Sequence, residues 1–571
     1  MLRSAGALSL AHAFGLLQGA AFAVECTGNF EPISASDYVA AINPGWNLGN
    51  TLDAIPNEGS WNNPPVQAAT FTDIKAAGFK SVRIPVTYAD HFTGASPGWE
   101  INADWLQRVS DVVDMALDAG LYVLTNVHHD SWQWADVSVA GANLTAIEER
   151  MYQTWLQIGE KLGCKSSSVA FEPINEPPVN TEEQAAELNK LNAIFLDALK
   201  ASGGFNTQRV VTLVGPSMDS IKTSQWFEAP TGYDNPWALQ YHYYSPYDFI
   251  FGAWGKTILS DADLATISSD LKNIRANFTD VPLVLGEFDA SPISTEPAAR
   301  RKYMDLVVRT AKELNTAVMV WDNGLDHFDR NAKTWKDPQS LEILLNAAAG
   351  VSNSLAAFTT DASATTQSSS AYVFHKVGDT VADQTVSISL NGNTLKSIAT
   401  EDGKALDASA DYTASSSGSI TFKSSFLSTY FSSSGGAAGS KANLTLTFSA
   451  GATAAVELVQ WDVPRLGSAS STAVSGADLR IPVTWAGVRQ PAAVKMRRSD
   501  GVYLFDDWTQ YLGPLQASYG TYSGQWNWDG GNLVLTAATV NAVISAGVPT
   551  VFTFDFFPRV PGNSVNYTLN V

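Results

Sequence analysis

Eight short apolar runs alternate with longer amphipathic stretches between residues 45 and 350, and this alternation limits the possible folds more than any other feature. The intervening stretches have helical character, for example Asp104–Ala119, Glu182–Leu199 and Ala298–Leu314. Buried parallel strands are continuous apolar runs, and eight of them separated by helices over about 300 residues fit a closed parallel barrel better than an open sheet. The runs are Gly45–Gly49, Ser81–Val86, Tyr122–Val127, Val169–Ile174, Arg209–Val214, Leu239–Tyr244, Leu283–Phe288 and Ala317–Trp321.

The alternative for such an alternation is a doubly wound open sheet. That fold usually places a glycine-rich phosphate-binding loop directly after its first strand, and the sequence has none there. We therefore predict a (β/α)8 TIM barrel over residues 24–350.

The chain changes character after Gly350. Residues 352–371 are rich in Ser, Thr and Ala, which is typical of a linker, and short alternating runs with turn signals such as Asn391-Gly392 follow as far as Pro464. A second β-rich segment carries the last four tryptophans. The sequence predicts a multidomain protein in which two all-β sandwich domains, 351–463 with the linker and 464–571, follow the barrel.

Composition excludes several classes of partner. The formal net charge of −21 argues against nucleic acid and against an anionic membrane surface, but neutral polymers remain compatible with it. With 45% hydrophobic and 16% charged residues the chain is globular. The two cysteines, Cys26 and Cys164, provide neither a disulfide scaffold nor a thiolate metal cluster, and whether they form one bridge stays open.

The N-terminus has the features of a secretory signal peptide over residues 1–23. Arg3 precedes an apolar run from Ala5 to about Ala21, and Ala21-Phe22-Ala23 is an Ala-x-Ala cleavage site. No later segment has about 18 unbroken apolar residues, so we expect a secreted, extracellular protein. Four Asn-x-Ser/Thr sequons would accept glycans in a eukaryotic host, at Asn143, Asn277, Asn443 and Asn566.

Polar and aromatic side chains occur at the ends of several predicted strands, which is where barrel enzymes hold their chemistry. A single glutamate at a strand end is usually a surface charge, but here Glu176 and Glu287 cap different strands and have aromatic neighbours. Paired carboxylates with ring-stacking aromatics are what hydrolysis of a glycosidic bond requires. The candidates are Arg83 on strand 2, His128 and His129 after strand 3, Asn175 and Glu176 after strand 4, His242 and Tyr244 on strand 6, Glu287 on strand 7 and Trp321 on strand 8.

A metal site is not expected among these residues. His128 and His129 are adjacent, so on a strand their side chains diverge and joint ligation of a metal is disfavoured. One of them is then a packed or supporting histidine, and Tyr244 and Trp321 could be packing at the barrel rim.

The ordered motifs resemble glycoside hydrolase family 5 over residues 30–350. They are Gly45-Trp46-Asn47-Leu48-Gly49-Asn50, Arg83-Ile84-Pro85-Val86, Asn175-Glu176-Pro177, His242-Tyr243-Tyr244, Gly286-Glu287 and Trp321. The resemblance implies a retaining mechanism without a cofactor or metal, with Glu176 as general acid/base and Glu287 as nucleophile.

The same resemblance implies roles for the neighbouring residues. Arg83 and Tyr244 would lower the pKa of Glu287, and Asn175 would hold the sugar 2-hydroxyl. The remaining expectations are that His128 and His242 orient the carboxylates or bind hydroxyls, that Trp321 stacks under the sugar, and that His129 and Asn50 contact substrate.

The extended first motif and Asn126-Val127-His128-His129-Asp130 are similar to those of endo-β-1,4-glucanases, particularly of subfamily 4, which also accepts mixed-linkage glucan and xyloglucan. Within the family, an endo-β-1,4-mannanase is the rival. A non-catalytic polysaccharide-binding wall protein is the rival from another class. The expected partner is a β-glucan, and the expected oligomeric state is a monomer.

The two C-terminal segments also resemble known modules. The first resembles the immunoglobulin-like module found beside cellulases and, lacking tryptophan between Trp335 and Trp461, is expected to be a spacer. The last resembles carbohydrate-binding module family 46. Trp526 and Trp528 have period 2 and would face one side of a strand. We expect Trp508 and Trp528 to be exposed sugar-binding rings, whereas the alternative is that such rings form the sandwich core.

Overall fold

The computed structural model describes residues 23–357 and 360–571, and its first unit is a closed barrel of eight parallel strands. Each strand pairs with the next along the chain, and β1 pairs with β8. The predicted fold class is confirmed, although β5 runs further than its predicted end at Val214. The strands are β1 (Gly45–Asn47), β2 (Ser81–Ile84), β3 (Tyr122–Asn126), β4 (Val169–Glu172), β5 (Val211–Asp219), β6 (Trp237–Tyr243), β7 (Leu283–Phe288) and β8 (Thr316–Val320).

Eleven α-helices accompany the barrel within the described residues. Their apolar faces pack on the strands; in α3, for example, Trp105, Val109 and Val113 are buried. Thr181 caps α6 and Ser260 forms a capping box on α9, which satisfies free amides at the helix starts. The helices are α1 (Ala35–Ala41), α2 (Ala68–Ala77), α3 (Ala103–Asp118), α4 (Asp130–Gln133), α5 (Leu144–Leu162), α6 (Glu182–Ser202), α7 (Ser220–Trp226), α8 (Tyr247–Ile250), α9 (Asp261–Asn277), α10 (Pro297–Glu313) and α11 (Pro338–Ala349).

The N-terminal segment of the barrel is held by a disulfide bond. Cys26 and Cys164, which lie 138 residues apart in sequence, are bridged, so the chain before α1 is tied to the turn that follows α5. The predicted signal peptide falls almost entirely on residues 1–22, outside the described residues. Where the chain is described, none of its helices has the length and apolar character needed to span a membrane.

Two β-sandwiches follow the barrel, after a small hairpin of β9 (Phe328–Asp329) and β10 (Thr334–Trp335). The first packs sheet β11-β13-β16-β15 against β12-β18-β17-β14 around buried side chains such as Phe422, Leu444 and Val456. Its elements are β11 (Leu355–Ala356), β12 (Tyr372–Lys376), β13 (Gln384–Ser389), β14 (Leu395–Thr400), β15 (Tyr412–Ala414), β16 (Ser419–Phe422), α12 (Ser424–Leu427), β17 (Gly439–Phe448) and β18 (Ala454–Trp461).

The second sandwich packs sheet β19-β21-β24-β23 against β20-β26-β25-β22. Its core holds aromatic side chains, including Trp526, Phe552 and Tyr567. Its elements are β19 (Arg465–Leu466), β20 (Ser470–Thr472), β21 (Leu479–Thr484), β22 (Pro491–Arg498), β23 (Trp526–Asp529), β24 (Asn532–Leu535), α13 (Ala537–Ala546), β25 (Thr550–Phe556) and β26 (Ser564–Asn570).

The second sandwich folds back onto the barrel loop that follows β6. The Tyr522 amide donates to the Gly252 carbonyl at 3.1 Å. The buried guanidinium of Arg559 donates to the carbonyls of Gly255 at 2.6 Å and Leu515 at 3.0 Å. A Cβ on Gly255 would lie 2.9 Å from the Leu515 carbonyl oxygen, so the close approach of the two backbones requires glycine. The last module therefore lies beside the face where the strands of the barrel end.

Candidate active site

Two carboxylates face each other at the carboxyl ends of the barrel strands. Glu287 is the penultimate residue of β7, while Glu176 lies four residues beyond the end of β4 and has a left-handed φ of 40°. Glu176 thus follows strand 4 as expected, but on a short loop, because the regular strand already ends at Glu172. One oxygen of Glu176, one of Glu287 and a ring nitrogen of His242 lie within 4.8 Å of one another.

Arg83 is the cation that organises this site. Its guanidinium is fully buried and pairs through Nε and Nη2 with both oxygens of Glu172, each at 2.7 Å. Nη1 reaches Glu287 Oε1 at 2.5 Å and Asn47 Oδ1 at 3.0 Å, and Nη2 reaches Asn175 Oδ1 at 2.8 Å. Burial alone would lower the pKa of Arg83, but the charges of Glu172 and Glu287 raise it, so Arg83 stays a cation.

Both oxygens of Glu287 accept hydrogen bonds. Tyr244 donates its hydroxyl to Oε2 at 2.8 Å, opposite the contact from Arg83. These two contacts lower the pKa of Glu287 as expected, and so does the charge of His242. Burial outweighs them, however, and together with the charge of Glu176 it leaves the pKa of Glu287 raised. The two contacts therefore act in the expected direction, but burial decides the net direction of the shift.

Glu176 shares a proton with His242. Glu176 Oε1 lies 2.7 Å from His242 Nδ1, so one of the two groups carries a proton that points at the other. Burial raises the pKa of Glu176, but its hydrogen bond with His242 and the charge of His242 lower it overall. His242 Nε2 is buried and has no hydrogen-bond partner among the described residues. A proton therefore lies between Glu176 Oε1 and His242 Nδ1.

His128 has a single tautomer consistent with its contacts. Burial lowers its pKa well below the ordinary value, so the ring is neutral. Asn126 Nδ2 lies 3.0 Å from His128 Nδ1 and can only donate, which places the ring proton on Nε2 as a donor. The ring lies nearly parallel to Trp321, at 6.0 Å. A Cβ on Gly49 would lie 2.8 Å from Trp321 Cζ2, so the glycine makes room for that indole.

His129 does not diverge from His128, contrary to the expectation. β3 ends at Asn126, so both histidines lie beyond the regular alternation of a strand, and their ring centroids are 4.5 Å apart. His129 stacks against Trp132 at 4.2 Å and contacts Trp61 at 5.4 Å; these two indoles are 50% and 39% exposed. His129 therefore backs a partly exposed aromatic surface.

The other predicted residues of the barrel lie around the two facing carboxylates. Asn175 is buried, and because Arg83 occupies its Oδ1, its Nδ2 remains as a donor. Asn50 is further out, where its side chain donates to Asn62 Oδ1 at 2.7 Å.

Two groups of side chains in the described part of the chain are compact enough to hold a cation. One is Asp53 with His128 and His129, and the other is Glu176, His242 and Glu287. In the first group, Asp53 already accepts the backbone amides of Asn50 and Thr51. The second group consists of the two facing carboxylates and His242. Its atoms already bond to each other and to Tyr244. That the protein needs no metal or cofactor stays a prediction.

A row of aromatic rings leads from the carboxylates to the last module. Its successive ring centroids are 5.9, 4.9, 5.7 and 4.5 Å apart, through Tyr244, Phe251, Tyr247, Trp254 and Trp508. Trp508 is 41% exposed, which agrees with the expectation. Trp528 is half-buried against the sandwich core beside Tyr522 and Trp526, so the expectation that it is exposed is wrong.

Several residues of the site were not predicted from the sequence. Glu172 ends β4 and Gln240 lies inside β6, and because both strands are buried on both faces, no alternation marks which of their side chains point towards Arg83. Trp61 lies in a loop and Trp132 in the one-turn helix α4, and neither segment has a recognisable pattern. A signal existed for Glu172, because it is the one charged residue within the apolar run Val169–Ile174, four residues before Glu176.

A (β/α)8 barrel with two facing carboxylates at the carboxyl ends of its strands is the arrangement of a glycoside hydrolase. A sequence profile described as cellulase (glycosyl hydrolase family 5) matches residues 47–327, and one described as carbohydrate binding domain X2 matches residues 367–458. Endoglucanase B of Paenibacillus lautus is 31% identical over 557 residues, covering 94% of this chain and 92% of the relative. The chain belongs to glycoside hydrolase family 5, a family of retaining enzymes.

Solved structures share the barrel, and one of them also shares the added modules. A tri-modular family 5 (subfamily 4) endo-β-1,4-glucanase from Bacillus licheniformis, complexed with cellotetraose, is 34% identical with a TM-score of 0.84, covering 94% of this chain and 99% of that one. A family 5 xyloglucanase from Paenibacillus pabuli is 30% identical with a TM-score of 0.50, covering 54% of this chain and 99% of that one.

Proposed function

We propose that this protein is an endo-β-1,4-glucanase in which Glu287 is the nucleophile and Glu176 the general acid/base. The observation that carries the proposal is the pair of carboxylates, which have oxygens within 4.8 Å of each other and different partners. Retaining enzymes hold their carboxyl groups about 5–5.5 Å apart, whereas inverting enzymes leave about 6.5–9.5 Å for a water molecule. Arg83 and Tyr244 donate to Glu287, while His242 faces Glu176.

In the first step, a carboxylate oxygen of Glu287 attacks the anomeric carbon. The bond from that carbon to the glycosidic oxygen breaks, and this oxygen takes the proton held by Glu176 and His242. In the second step, Glu176 removes a proton from water, the water oxygen attacks the anomeric carbon, and Glu287 is released as a carboxylate.

The neighbouring groups would hold the sugar at the cleavage site. Asn175 Nδ2 is a donor for the 2-hydroxyl, where hydrogen bonds strengthen in the transition state. His128 Nε2–H is a donor for another hydroxyl, and Trp321 provides a flat apolar face. Arg83 holds both Asn175 and Glu287, so one cation aligns the hydroxyl contact with the nucleophile.

We propose that the substrates include cellulose, mixed-linkage glucan and xyloglucan. The similarity to an endo-β-1,4-glucanase with cellotetraose and to a xyloglucanase supports this class. The aromatic row from Tyr244 to Trp508 fits an extended neutral chain, because its rings stack on sugars without requiring charge. The last module would then bind glucan through Trp508, while Trp528 packs against the core of that module.

We propose that the first sandwich is a spacer. Within residues 360–463 no large hydrophobic side chain is strongly exposed, and the aromatic rings are buried or half-buried, which favours a spacer over a binding surface. The match of this module to a carbohydrate-binding profile makes a direct test worthwhile. Substitutions on the surface of the module that does not face the barrel, made in the full chain, should leave its retention on insoluble cellulose unchanged.

We propose that the protein is secreted and acts as a monomer. The bridge between Cys26 and Cys164 is consistent with an oxidising compartment. The asparagines of all four sequons are exposed, so each is accessible to glycosylation in a eukaryotic host.

Two alanine variants test the proposed roles. Glu287→Ala should lose all turnover, whereas Glu176→Ala should lose turnover of glucan but still form the covalent intermediate with an activated aryl glycoside, whose leaving group needs no proton. Thermal unfolding verifies that both variants are folded. Normal turnover by either variant would refute the assignment.

Product analysis separates the remaining alternatives. We expect the β-anomer as the first product by proton NMR, and faster hydrolysis of β-glucan and xyloglucan than of mannan. Preferred hydrolysis of mannan would establish the mannanase, and binding of polysaccharide without release of reducing sugar would establish the non-catalytic wall protein.

A further inference from the structure

A third carboxylate lies beneath the two that face the cleft. Glu172, the last residue of β4, is fully buried. Its Oε1 accepts from Arg83 Nη2 at 2.7 Å and Asn126 Nδ2 at 2.8 Å. Its Oε2 accepts from Arg83 Nε at 2.7 Å and Gln240 Nε2 at 2.8 Å. Four donors from three other strands therefore surround one carboxylate that has no exposed surface for a substrate.

Glu172 is a permanent negative charge at this position. Burial raises its pKa, but the charge and hydrogen bonds of Arg83, with smaller contributions from His242 and Asn126, hold the pKa below its ordinary value. All four donors favour the ionised form of the carboxylate.

The orientation of Arg83 depends on this carboxylate. A guanidinium presents its donors in a rigid plane, and the pairing of Nε and Nη2 with Glu172 fixes that plane. The remaining donors then point at Glu287 through Nη1 and at Asn175 through Nη2. Arg83 reaches its two functional partners because Glu172 occupies its other edge.

We propose that Glu172 is a positioning residue that aligns Arg83 on the nucleophile and, through its charge, sets the pH range in which both catalytic carboxylates have the correct protonation. This inference rests on the proposed function. The charges of Arg83 and Glu172 cancel, which leaves Glu176, Glu287 and His242 to share the proton that the reaction needs.

The groups around the ion pair of Arg83 and Glu172 determine whether removing the charge of Glu172 raises or lowers the pKa of the catalytic carboxylates. The charged or titratable groups around the ion pair are His242 on β6, Glu287 on β7, Glu176 beyond β4, and the neutral His128, on which the charge of Arg83 acts. The charge of Glu172 raises the pKa of Glu176, while the charge of Arg83 lowers the pKa of both catalytic carboxylates. Removing the charge of Glu172 should therefore lower the pKa of Glu176 and, because a nearby negative charge also disfavours ionisation of Glu287, the pKa of Glu287.

The decisive variant is Glu172→Gln, which keeps the size of the side chain and removes its charge. We expect both limbs of the plot of kcat/KM against pH to move to lower pH by about one unit, the size of effect that a nearby charge has on a buried group. In addition, kcat on β-glucan should fall at least tenfold. Glu172→Asp keeps the charge but shortens the reach, so its limbs should stay at the wild-type pH while kcat falls.

Asp337→Asn is the matched control. Asp337 is a buried carboxylate paired with Arg300 at 2.7 Å at the start of α11, away from the cleft. Its loss should destabilise the protein in thermal unfolding and leave both pH limbs unchanged. Wild-type limbs in Glu172→Gln, or the same shift in Glu172→Asp, would overturn the proposal.

If Glu172→Gln does not fold, Glu172→Asp decides the positioning role. A loss of kcat with unchanged KM supports it, and wild-type kcat refutes it. The roles of Glu176 and Glu287 are tested separately, by their alanine variants and by the stereochemistry of the wild-type product, so failure of one hypothesis is distinguishable from failure of the other.

Discussion

The hydrogen bond from Tyr244 to Glu287 provides a quantitative test of the site. Tyr244→Phe removes one donor at 2.8 Å from a buried carboxylate and leaves the ring in place. A hydrogen bond to a charged group contributes about 1.5–3 kcal/mol, and one pKa unit corresponds to about 1.36 kcal/mol. The pKa of Glu287 should therefore rise by about one to two units in the variant.

The sign of the pH effect follows from the role of Glu287. The nucleophile must be ionised, and burial already raises its pKa, so activity is lost as the pH falls through that raised value. In Tyr244→Phe the acid limb of kcat/KM should move to higher pH by the same one to two units. The assay is the initial rate on mixed-linkage glucan below KM, measured across the acid limb at constant ionic strength.

The neighbouring tyrosine provides the matched control. Tyr243 donates its hydroxyl to Asp270 Oδ2 at 2.9 Å, outside the cleft. Tyr243→Phe thus loses an equivalent hydrogen bond to a carboxylate, and its acid limb should stay at the wild-type pH. An unmoved acid limb in Tyr244→Phe, or equal shifts in both variants, would refute the role assigned to this contact.

Two further predictions concern the rest of the chain. Replacing Cys26 and Cys164 by serine should lower the free energy of unfolding by about 2–5 kcal/mol, measured by thermal or denaturant unfolding, with activity at room temperature retained; an unchanged Tm would contradict this. Trp508→Ala should lower kcat/KM on polymeric glucan about two- to tenfold through lost stacking and leave hydrolysis of cellotetraose unchanged. Equal losses on both substrates would argue against contact with distant sugars.

The barrel and its two facing carboxylates could be predicted from the sequence. Parallel strands bury both faces and therefore appear as apolar runs, which located all eight strands. Because their carboxyl ends converge on one face, Glu176 and Glu287 could be expected to meet although 111 residues separate them in the chain, and they lie within 4.8 Å.

Other features depend on tertiary packing and could not be predicted. The period of 2 correctly indicates that Trp526 and Trp528 share a side of β23, but it does not tell which side is the core. The extent of burial around Glu287 decides the sign of its pKa shift, and burial comes from all eight strands together. His128 and His129 approach each other because β3 ends at Asn126, before either histidine, so the alternation of a strand does not apply to them.

The way the last module is attached affects how its contribution should be measured. The loop after β6 that carries Tyr247 and Phe251 rests on this module, since Gly252 and Gly255 both bond to it. Truncation at residue 464 would strip that loop of its support and expose the carbonyl now held by Arg559. Activity lost on truncation would thus combine missing sugar contacts with a loosened cleft wall, so single-ring substitutions are the cleaner measure. The same dependence predicts that exchanging this module between related enzymes succeeds only when the β6 loop is transferred with it.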